Sequence, residues 1–192
     1  MKNILFILIL VSFCASGQRM GLKAGLNIGK ERVSDSGITI TSESTYFFMG
    51  GFFISEKLSN DISLGGEIIY SLDGGKYNLS SFGSFGTYTD RFHYLSIPVL
   101  LKYHASKYFN VNAGPQIGFL LKAEEDDGRS KTDFTDDVKP MNFSAAFGAE
   151  LNLKAMDIGF RYVLGLSNIN DIEDTTFEVN LSTIQIYLGQ TF

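Results

Sequence analysis

The chain has 192 residues and a formal net charge of −5, from 16 basic and 21 acidic side chains. That length fits one domain with a full core and leaves little room for a second. The acidic balance, without a basic stripe, argues against a nucleic-acid partner. Aromatic residues make up 14% of the chain, with 17 Phe, 9 Tyr and no Trp, and 20 Gly accompany them. This mixture favours strands over helices.

The N-terminal segment has the layout of a secretory signal. Lys2 precedes an apolar run at 4–13, and small residues follow as far as Gly17. A run of this length is too short to span a membrane as a helix, but it is typical of the apolar region of a signal peptide. We therefore predict a cleaved signal at 1–17.

The predicted mature domain is 18–192, and it contains no apolar run long enough for a transmembrane helix. Cys14, the only cysteine, lies inside the signal. The bulky Phe13 before it argues against a lipidated cysteine. The mature domain would then carry no disulfide, thiolate nucleophile or cysteine metal site.

Segments with period-two alternation recur along the mature domain. In 20–28 the even positions are apolar, and the odd positions between them are glycine, lysine or asparagine. The segments 109–122, 141–152 and 158–166 repeat this pattern, which is typical of half-buried strands. We predict eight strands, at 19–30, 44–56, 61–72, 88–103, 108–122, 140–153, 157–167 and 178–192.

The predicted connections alternate in length. The short ones, of three or four residues, are 57–60, 104–107 and 154–156. The long ones, of ten to seventeen residues, are 31–43, 73–87, 123–139 and 168–177. This alternation predicts an all-β fold, an eight-stranded antiparallel up-and-down barrel closed by its first and last strands. The short turns would lie in the periplasm and the long loops outside the cell.

The polar face of the strands carries small residues, which indicates the face that lies inside. Gly114, Gly118, Ala146 and Gly148 share that face with Asn, Gln and Ser, while the opposite face carries large apolar side chains. Because an eight-stranded barrel is narrow inside, small and polar residues suit its lumen and bulky apolar residues suit lipid. A soluble ligand-carrying barrel would have the reverse arrangement. The sequence therefore predicts a barrel surrounded by outer-membrane lipid.

Charged residues within the strands are predicted to face the lumen, because a charge in hydrocarbon would cost about 2–4 kcal/mol at the midplane. Opposite signs could pair there, and we expect Glu150 to pair with Arg161. An ion path is the alternative, but the narrow lumen favours a structural network. The predicted lumen charge network consists of Lys23, Glu67, Lys102, Glu150 and Arg161.

Two consecutive strands carry the motifs of a known family. "YLSIPVLLKY" at 94–103 is followed by "NAGPQIGFLL" at 112–121. The pair resembles the PorT-like, or OmpX-like, outer-membrane β-barrel family of Bacteroidetes, and "GLKAGLNIG" at 21–29 resembles the first strand of that family. The resemblance implies an eight-stranded outer-membrane barrel, and one branch of the family takes part in protein secretion across that membrane. The motif residues are Tyr94, Leu95, Ile97, Pro98, Lys102, Gly114 and Pro115.

Two of these motif residues conflict with regular strand pairing. Pro98 and Pro115 lie inside predicted strands, and neither can donate a ladder hydrogen bond. A closed barrel has no free edge that could accommodate them. We therefore expect a bulge or a locally open ladder at this place.

Catalytic chemistry has few candidates, because the chain contains only two histidines. His104 and Ser106 could pair a base with a nucleophile, as in outer-membrane lipid deacylases that use a His-x-Ser pair. These residues fall in a predicted periplasmic turn, whereas such enzymes act on the outer leaflet. We predict no enzymatic activity, no catalytic residue and no cofactor. A lipid-modifying enzyme or a barrel that binds a lipophile is the alternative.

The third long loop is acidic, with seven carboxylates from Glu124 to Asp137 against Arg129 and Lys131. Carboxylate oxygens are ligands for Ca²⁺, which would make a cation site at the cell surface conceivable. The spacing does not match an EF-hand. A solvated loop that keeps the barrel mouth hydrophilic is the alternative, and we predict no metal site.

The last predicted strand ends on Phe192. A terminal Phe resembles the sorting signal that the outer-membrane barrel assembly machinery recognises, although Gln190 stands where that signal usually has an apolar or aromatic residue. We therefore predict an assembly signal at Phe192. The predicted role is structural, in adhesion, or as a partner in assembly or secretion, with a protein partner at the long loops.

Overall fold

A computed structural model of the chain describes residues 19–35, 38–81, 84–172 and 177–192, and side chains within these ranges except those of 38, 78–81, 84 and 85. The predicted signal at 1–17 lies outside the described residues. Within the described ranges, no helix is long and apolar enough to cross a membrane.

Ten strands and one short 3-10 helix make up the described structure. The long strands are β1 (Arg19–Asp35), β3 (Thr45–Lys57), β4 (Ile62–Ser81), β5 (Ser84–His104), β6 (Phe109–Asp126), β8 (Met141–Leu153), β9 (Met156–Gly165) and β10 (Glu178–Thr191). Two short strands, β2 (Ile38–Thr41) and β7 (Lys131–Asp133), and the 3-10 helix η1 (Thr135–Asp137) lie in the connections.

The eight long strands form a closed antiparallel ring. Each pairs with the next long strand along the chain, and β10 pairs with β1 over the register Gly21↔Thr191 to Ser34↔Glu178. β2 pairs with the outer part of β1, and β7 pairs with the outer part of β6. The predicted eight-stranded up-and-down barrel is therefore confirmed.

The long connections are more ordered than the sequence suggested. The prediction of a loop at 73–87 was wrong. Strands β4 and β5 continue there as a paired hairpin from Leu72↔His93 to Ser81↔Ser84. In the same way, β1 continues to Asp35 and β6 to Asp126, each with a short partner strand. These ladders satisfy backbone groups that an irregular loop would leave to water. The short connections lie at the opposite end of the barrel.

The two faces of the wall differ as predicted. Alternate side chains are buried in the lumen, and the intervening large apolar side chains form an outward belt. In water this belt would be an exposed apolar surface far larger than soluble monomers carry, so it indicates contact with lipid. Members of the belt include Leu22, Leu26, Phe48, Phe52, Ile68, Val99, Leu101, Phe143, Phe147, Phe160, Ile186 and Leu188.

The ladder opens at the two strand prolines, as expected. Between β5 and β6, pairing stops at Pro98↔Gln116 and resumes at Leu101↔Ala113, so Pro115 falls inside the gap. Between β4 and β5, the register is interrupted between Gly66↔Val99 and Ile69↔Ser96. The openings coincide with positions where no proline N–H can be donated.

Candidate functional site

The centre of the lumen holds an arginine with no access to water. The side chain of Arg161 is 0% exposed, and its Nη1 and Nη2 atoms each donate a hydrogen bond of 2.8 Å to the carboxylate of Glu67. Lys23 Nζ donates to the same carboxylate at 2.6 Å. Because β9, β4 and β1 supply these residues, the contacts tie distant parts of the wall together across the lumen.

Glu150 is the second anion of this centre. Lys102 Nζ lies 2.7 Å from Glu150 Oε2, and Lys23 Nζ lies 3.4 Å from Oε1. The hydroxyl of Tyr187 donates to Glu150 Oε1 at 2.8 Å, and the Tyr187 ring lies 4.1 Å from Lys23 Nζ. Tyr187 was missed as a member of the centre, although its even spacing from Gln185 on the polar face of β10 was a usable signal. A Cβ at Gly159 would overlap its ring.

The expected direct pair between Glu150 and Arg161 was wrong. Arg161 lies opposite Gly148 in the β8–β9 ladder, while Glu150 lies opposite Gly159. The guanidinium reaches across the lumen to Glu67 instead, and two lysines neutralise Glu150. All five predicted lumen residues are therefore brought together, with different partners from those expected. Their structural role stays a prediction.

A second polar layer follows toward the long-loop end. Asn27 Nδ2 donates to Ser71 Oγ at 2.8 Å, and Gln185 Nε2 donates to Asn27 Oδ1 at 3.2 Å. Thr183 Oγ1 donates to Asp73 Oδ1 at 2.7 Å. The bonds from Asn27 to Ser71 and from Thr183 to Asp73 join strands that are not neighbours in the ring, β1 with β4 and β10 with β4. The lumen is therefore filled by hydrogen-bonded side chains in successive layers.

An apolar cluster covers this layer at the long-loop end. Its buried members come from the walls and from the connections that fold over the opening: Phe92, Tyr94, Ala123, Val138, Ile169 and Leu181. Two backbone bonds hold the connections down, from Lys139 N to Ile169 O at 2.8 Å and from Ile169 N to Val179 O at 2.9 Å. This cluster, named here the outer plug, separates the polar lumen from the outside.

The family-motif residues lie around the ladder opening. Tyr94 belongs to the outer plug, where its ring stacks on Phe92 with centroids 6.4 Å apart. Pro98 is fully buried, and Lys102 belongs to the central network. A Cβ at Gly114 would collide with the backbone of Val99. The remaining motif residues lie on the lipid side of the wall, where Leu95 and Ile97 are partly buried and Pro115 is exposed.

The histidine at the short-turn end does not pair with Ser106. His104 Nε2 lies 2.8 Å from Ser63 Oγ, whereas Ser106 Oγ accepts the backbone N–H of Tyr108 at 3.3 Å. The His-x-Ser segment therefore forms a turn. Ser63 is buried on β4 at the same end of the barrel, far along the strands from the long loops.

The acidic connection is organised by local contacts. Glu124 binds Lys122 Nζ at 2.6 Å and Lys131 Nζ at 2.9 Å, and these hydrogen bonds lower its pKa to about 2. Asp127 accepts backbone N–H groups of the β6–β7 turn, and Asp133 accepts that of Thr135. Over the described ranges, no three His, Cys, Asp or Glu side chains are grouped to hold a metal ion.

A cavity of about 330 Å³ lies above the outer plug, between the strand ends and the connections. Glu31 is its most buried polar lining residue, at 3% exposure. Tyr77 Oη donates to Glu31 Oε2 at 2.9 Å, but Glu31 Oε1 has no hydrogen-bond partner among the described residues. Burial and the neighbouring Asp90 raise the pKa of Glu31 to about 8. Burial and Glu125 raise that of Asp90 to about 6.

Sequence reasoning missed this cavity because 31–43 was predicted to be a loop. The usable signal was the continued alternation of Glu31 and Val33 with the exposed Arg32, beyond the predicted end of the strand. Comparable continuations on β4 and β5 bring Tyr77 and Asp90 to the same level.

Comparisons with known proteins agree with this architecture. The family model described as outer membrane protein beta-barrel domain matches residues 15–171, well over half of the chain. No curated protein matches. Among solved structures, the attachment invasion locus protein Ail of Yersinia pestis has a similar fold, with a TM-score of 0.50 and 16% identity over 93% of this chain and 100% of that chain. Neisserial surface protein A (NspA) gives a TM-score of 0.55 and 14% identity over 92% and 100%.

At these identities the structural neighbours show the fold alone, and the family model carries the assignment. The closed ring, the outward apolar belt and the polar lumen are the features that such a family requires. The chain belongs to the outer membrane protein beta-barrel domain family, and it is a protein of the outer membrane.

Proposed function

We propose that this protein is a non-catalytic outer-membrane barrel that acts through its long-loop end, in adhesion or as a partner in envelope assembly. The observation that carries the proposal is the β4–β5 hairpin. Its ten cross-strand pairs, from Leu72↔His93 to Ser81↔Ser84, extend past the outward belt. At about 3.3 Å per residue, the hairpin reaches roughly 30 Å along the strand direction. A long ordered projection offers a partner more surface than a lipid-embedded wall does.

The finer assignment within the family is also a proposal. We infer membership of the PorT-like, or OmpX-like, branch found in Bacteroidetes, because the motif prolines coincide with the ladder opening beside the central network. A cleaved signal at 1–17 and recognition of Phe192 by the barrel assembly machinery belong to the same proposal. Phe192 is 75% exposed beside β1, where such a partner would find it accessible.

The lumen network is proposed to be structural. Lys23, Glu67, Lys102, Glu150 and Arg161 bind one another rather than leaving a path along the axis. Buried charges that are paired and hydrogen-bonded can fix one arrangement of the strands, which suits a barrel that serves as a rigid support.

The test is site-specific photo-crosslinking in the native host. A photoreactive residue at Lys76, on the hairpin, is expected to capture a distinct protein that mass spectrometry identifies, because a partner contacts this end. The matched control is the same residue at Phe52 in the outward belt, which should yield no protein adduct. Absence of any adduct at Lys76 and at further hairpin positions would contradict the proposal.

The lipid-modifying alternative receives little support. His104 and Ser63, whose Nε2 and Oγ atoms lie 2.8 Å apart, are at the short-turn end, away from the outer leaflet. The remaining described histidine, His93, has its Nδ1 atom 2.6 Å from Tyr70 Oη. Neither arrangement presents a nucleophile to lipid at the outer rim.

A further inference from the structure

We propose that the cavity above the outer plug is a binding site for a small organic cation, a primary ammonium group carried on an apolar body. This goes beyond the proposed surface role, because it assigns a ligand class to a pocket inside the long-loop end. Its volume of about 330 Å³ lies at the lower end of the range for small-molecule sites.

The walls of the cavity are mostly apolar. Phe92, Val138 and Ile169 from the outer plug form part of the lining, and Phe134 and Val179 continue it. Phe134 meets Phe92 edge to face, with ring centroids 5.7 Å apart. A ligand with a hydrocarbon or aromatic body would bury its apolar surface against these side chains.

The polar groups of the lining are strongly acidic. Four carboxylates line the cavity, on Glu31, Asp90, Glu125 and Asp137, and none of its lining residues within the described ranges is a lysine or arginine. Arg91, which follows Asp90 on the other face of β5, is engaged by Asp126 at 3.0 Å. Such a pocket attracts cations and repels anions.

Glu31 is the carboxylate that the ammonium group of a ligand would contact. Its Oε1 atom is buried in the lining without a hydrogen-bond donor, while the carboxyl of Asp90 lies beside it. Two acceptors that face each other need a proton or a cation between them, because a buried charge without a partner is costly. An ammonium group has three donors and a positive charge, so it satisfies both carboxylates at once.

Other ligand classes fit less well. A neutral lipophile would gain nothing from the two facing carboxyls, and an anion would meet four carboxylates. A hard metal ion needs several converging oxygen ligands, and the described part of the chain groups no three candidate ligands for a metal.

The cavity is held open by backbone contacts. Phe134 N donates to Ala123 O at 3.1 Å, and Asp171 N donates to Asp137 O at 2.9 Å. These bonds fix the connections to β6 and to one another. A preformed pocket of this kind loses little ordering free energy when a ligand binds.

Isothermal titration calorimetry on the full mature protein in neutral detergent tests the proposal. The probes are 2-phenylethylamine, the neutral 2-phenylethanol and the anionic 3-phenylpropanoate, which share a ring of similar size. Saturable binding is expected for the amine, with at least about tenfold weaker binding of the other two, because only the amine forms a charge-assisted bond. Equal binding of the alcohol, or no saturable binding of the amine, would overturn the proposal.

Substitutions locate the site. Glu31→Gln keeps the shape but cannot become an anion opposite the ammonium group, so the amine should bind at least about tenfold more weakly. Glu43→Gln removes an exposed carboxylate outside the cavity and should change affinity by no more than about twofold. Asp90→Asn provides a second variant if Glu31→Gln fails to fold, as judged by heat-dependent gel mobility. Unchanged amine affinity in a folded variant of either cavity residue would also overturn the assignment.

Discussion

Closure of the ring determines which of the buried charged residues in the lumen contact one another. Period-two alternation places Lys23, Glu67 and Arg161 on one face whatever the stagger of the strands. Their partners depend on how far each strand is displaced around the closed ring. That displacement brings Arg161 to Glu67 across the lumen, which no local pattern in the sequence indicates.

Removing one partner of the pair formed by Arg161 and Glu67 should destabilise the barrel more than replacing both partners with apolar residues. We expect Glu67→Gln to lower the free energy of unfolding by about 3–5 kcal/mol, because it leaves a buried guanidinium without its anion. The double variant Glu67→Met with Arg161→Met should recover part of this loss, because neither charge remains. Urea unfolding in lipid vesicles, followed by tyrosine fluorescence, measures both.

Glu43→Gln serves as the matched control, because Glu43 is exposed and the same chemical change should leave stability nearly unaffected. A double variant that is less stable than Glu67→Gln would remove the pairing argument.

At the scale of elements, the sequence predicts which segments form strands and which side chains face the lumen. It does not predict the residues at which the strands end on the long-loop side. The segment from Gly74 to Ser81 is rich in glycine, serine and asparagine, which locally favour a loop. Pairing with β5 overrides this preference, because each strand supplies the hydrogen-bond partners of the other. The same extension carries Glu31 and Asp90 above the outer plug, which explains why the cavity could not be found from the sequence.

The tip of this hairpin should be dispensable for the barrel. Replacing residues 79–86 with an Asn-Gly turn keeps the pair Asn78↔Thr87 and suits a two-residue hairpin. We expect the free energy of unfolding to stay within about 1 kcal/mol of the parent value, because the deleted segment lies beyond the cooperative core of the barrel. Urea titrations in vesicles provide the measurement.

A proline at Ser96 is the contrasting change on the same strand. Ser96 pairs with Ile69 on one side and Gly118 on the other, so the substitution removes ladder bonding in the middle of the wall and should prevent folding. A loss of several kcal/mol on trimming the tip would show that the hairpin supports the barrel.

At the scale of the whole molecule, the small number of strands explains both the closed ring and the filled lumen. The β1–β10 seam makes a ring of eight strands, which is the narrowest common size for outer-membrane barrels. A lumen of that width is filled by side chains, here by the central network, the second polar layer and the outer plug. Ring size was predictable from the strand number, whereas the outer plug depends on contacts of Val138 and Ile169 from two connections.

This filled lumen should carry no steady ion current. Asn110, Arg161 and Asn27 are each 0% exposed, at different levels along the axis, and the hydrogen bonds from Arg161 to Glu67 cross the lumen. An ion would have to break buried ion pairs to pass, at a cost of several kcal/mol. Planar bilayer recordings of the purified protein should therefore show no stable open level at moderate voltage. Heat-dependent gel mobility of the same purified protein controls for folding, and a reproducible unitary conductance from the folded form would refute the occluded lumen.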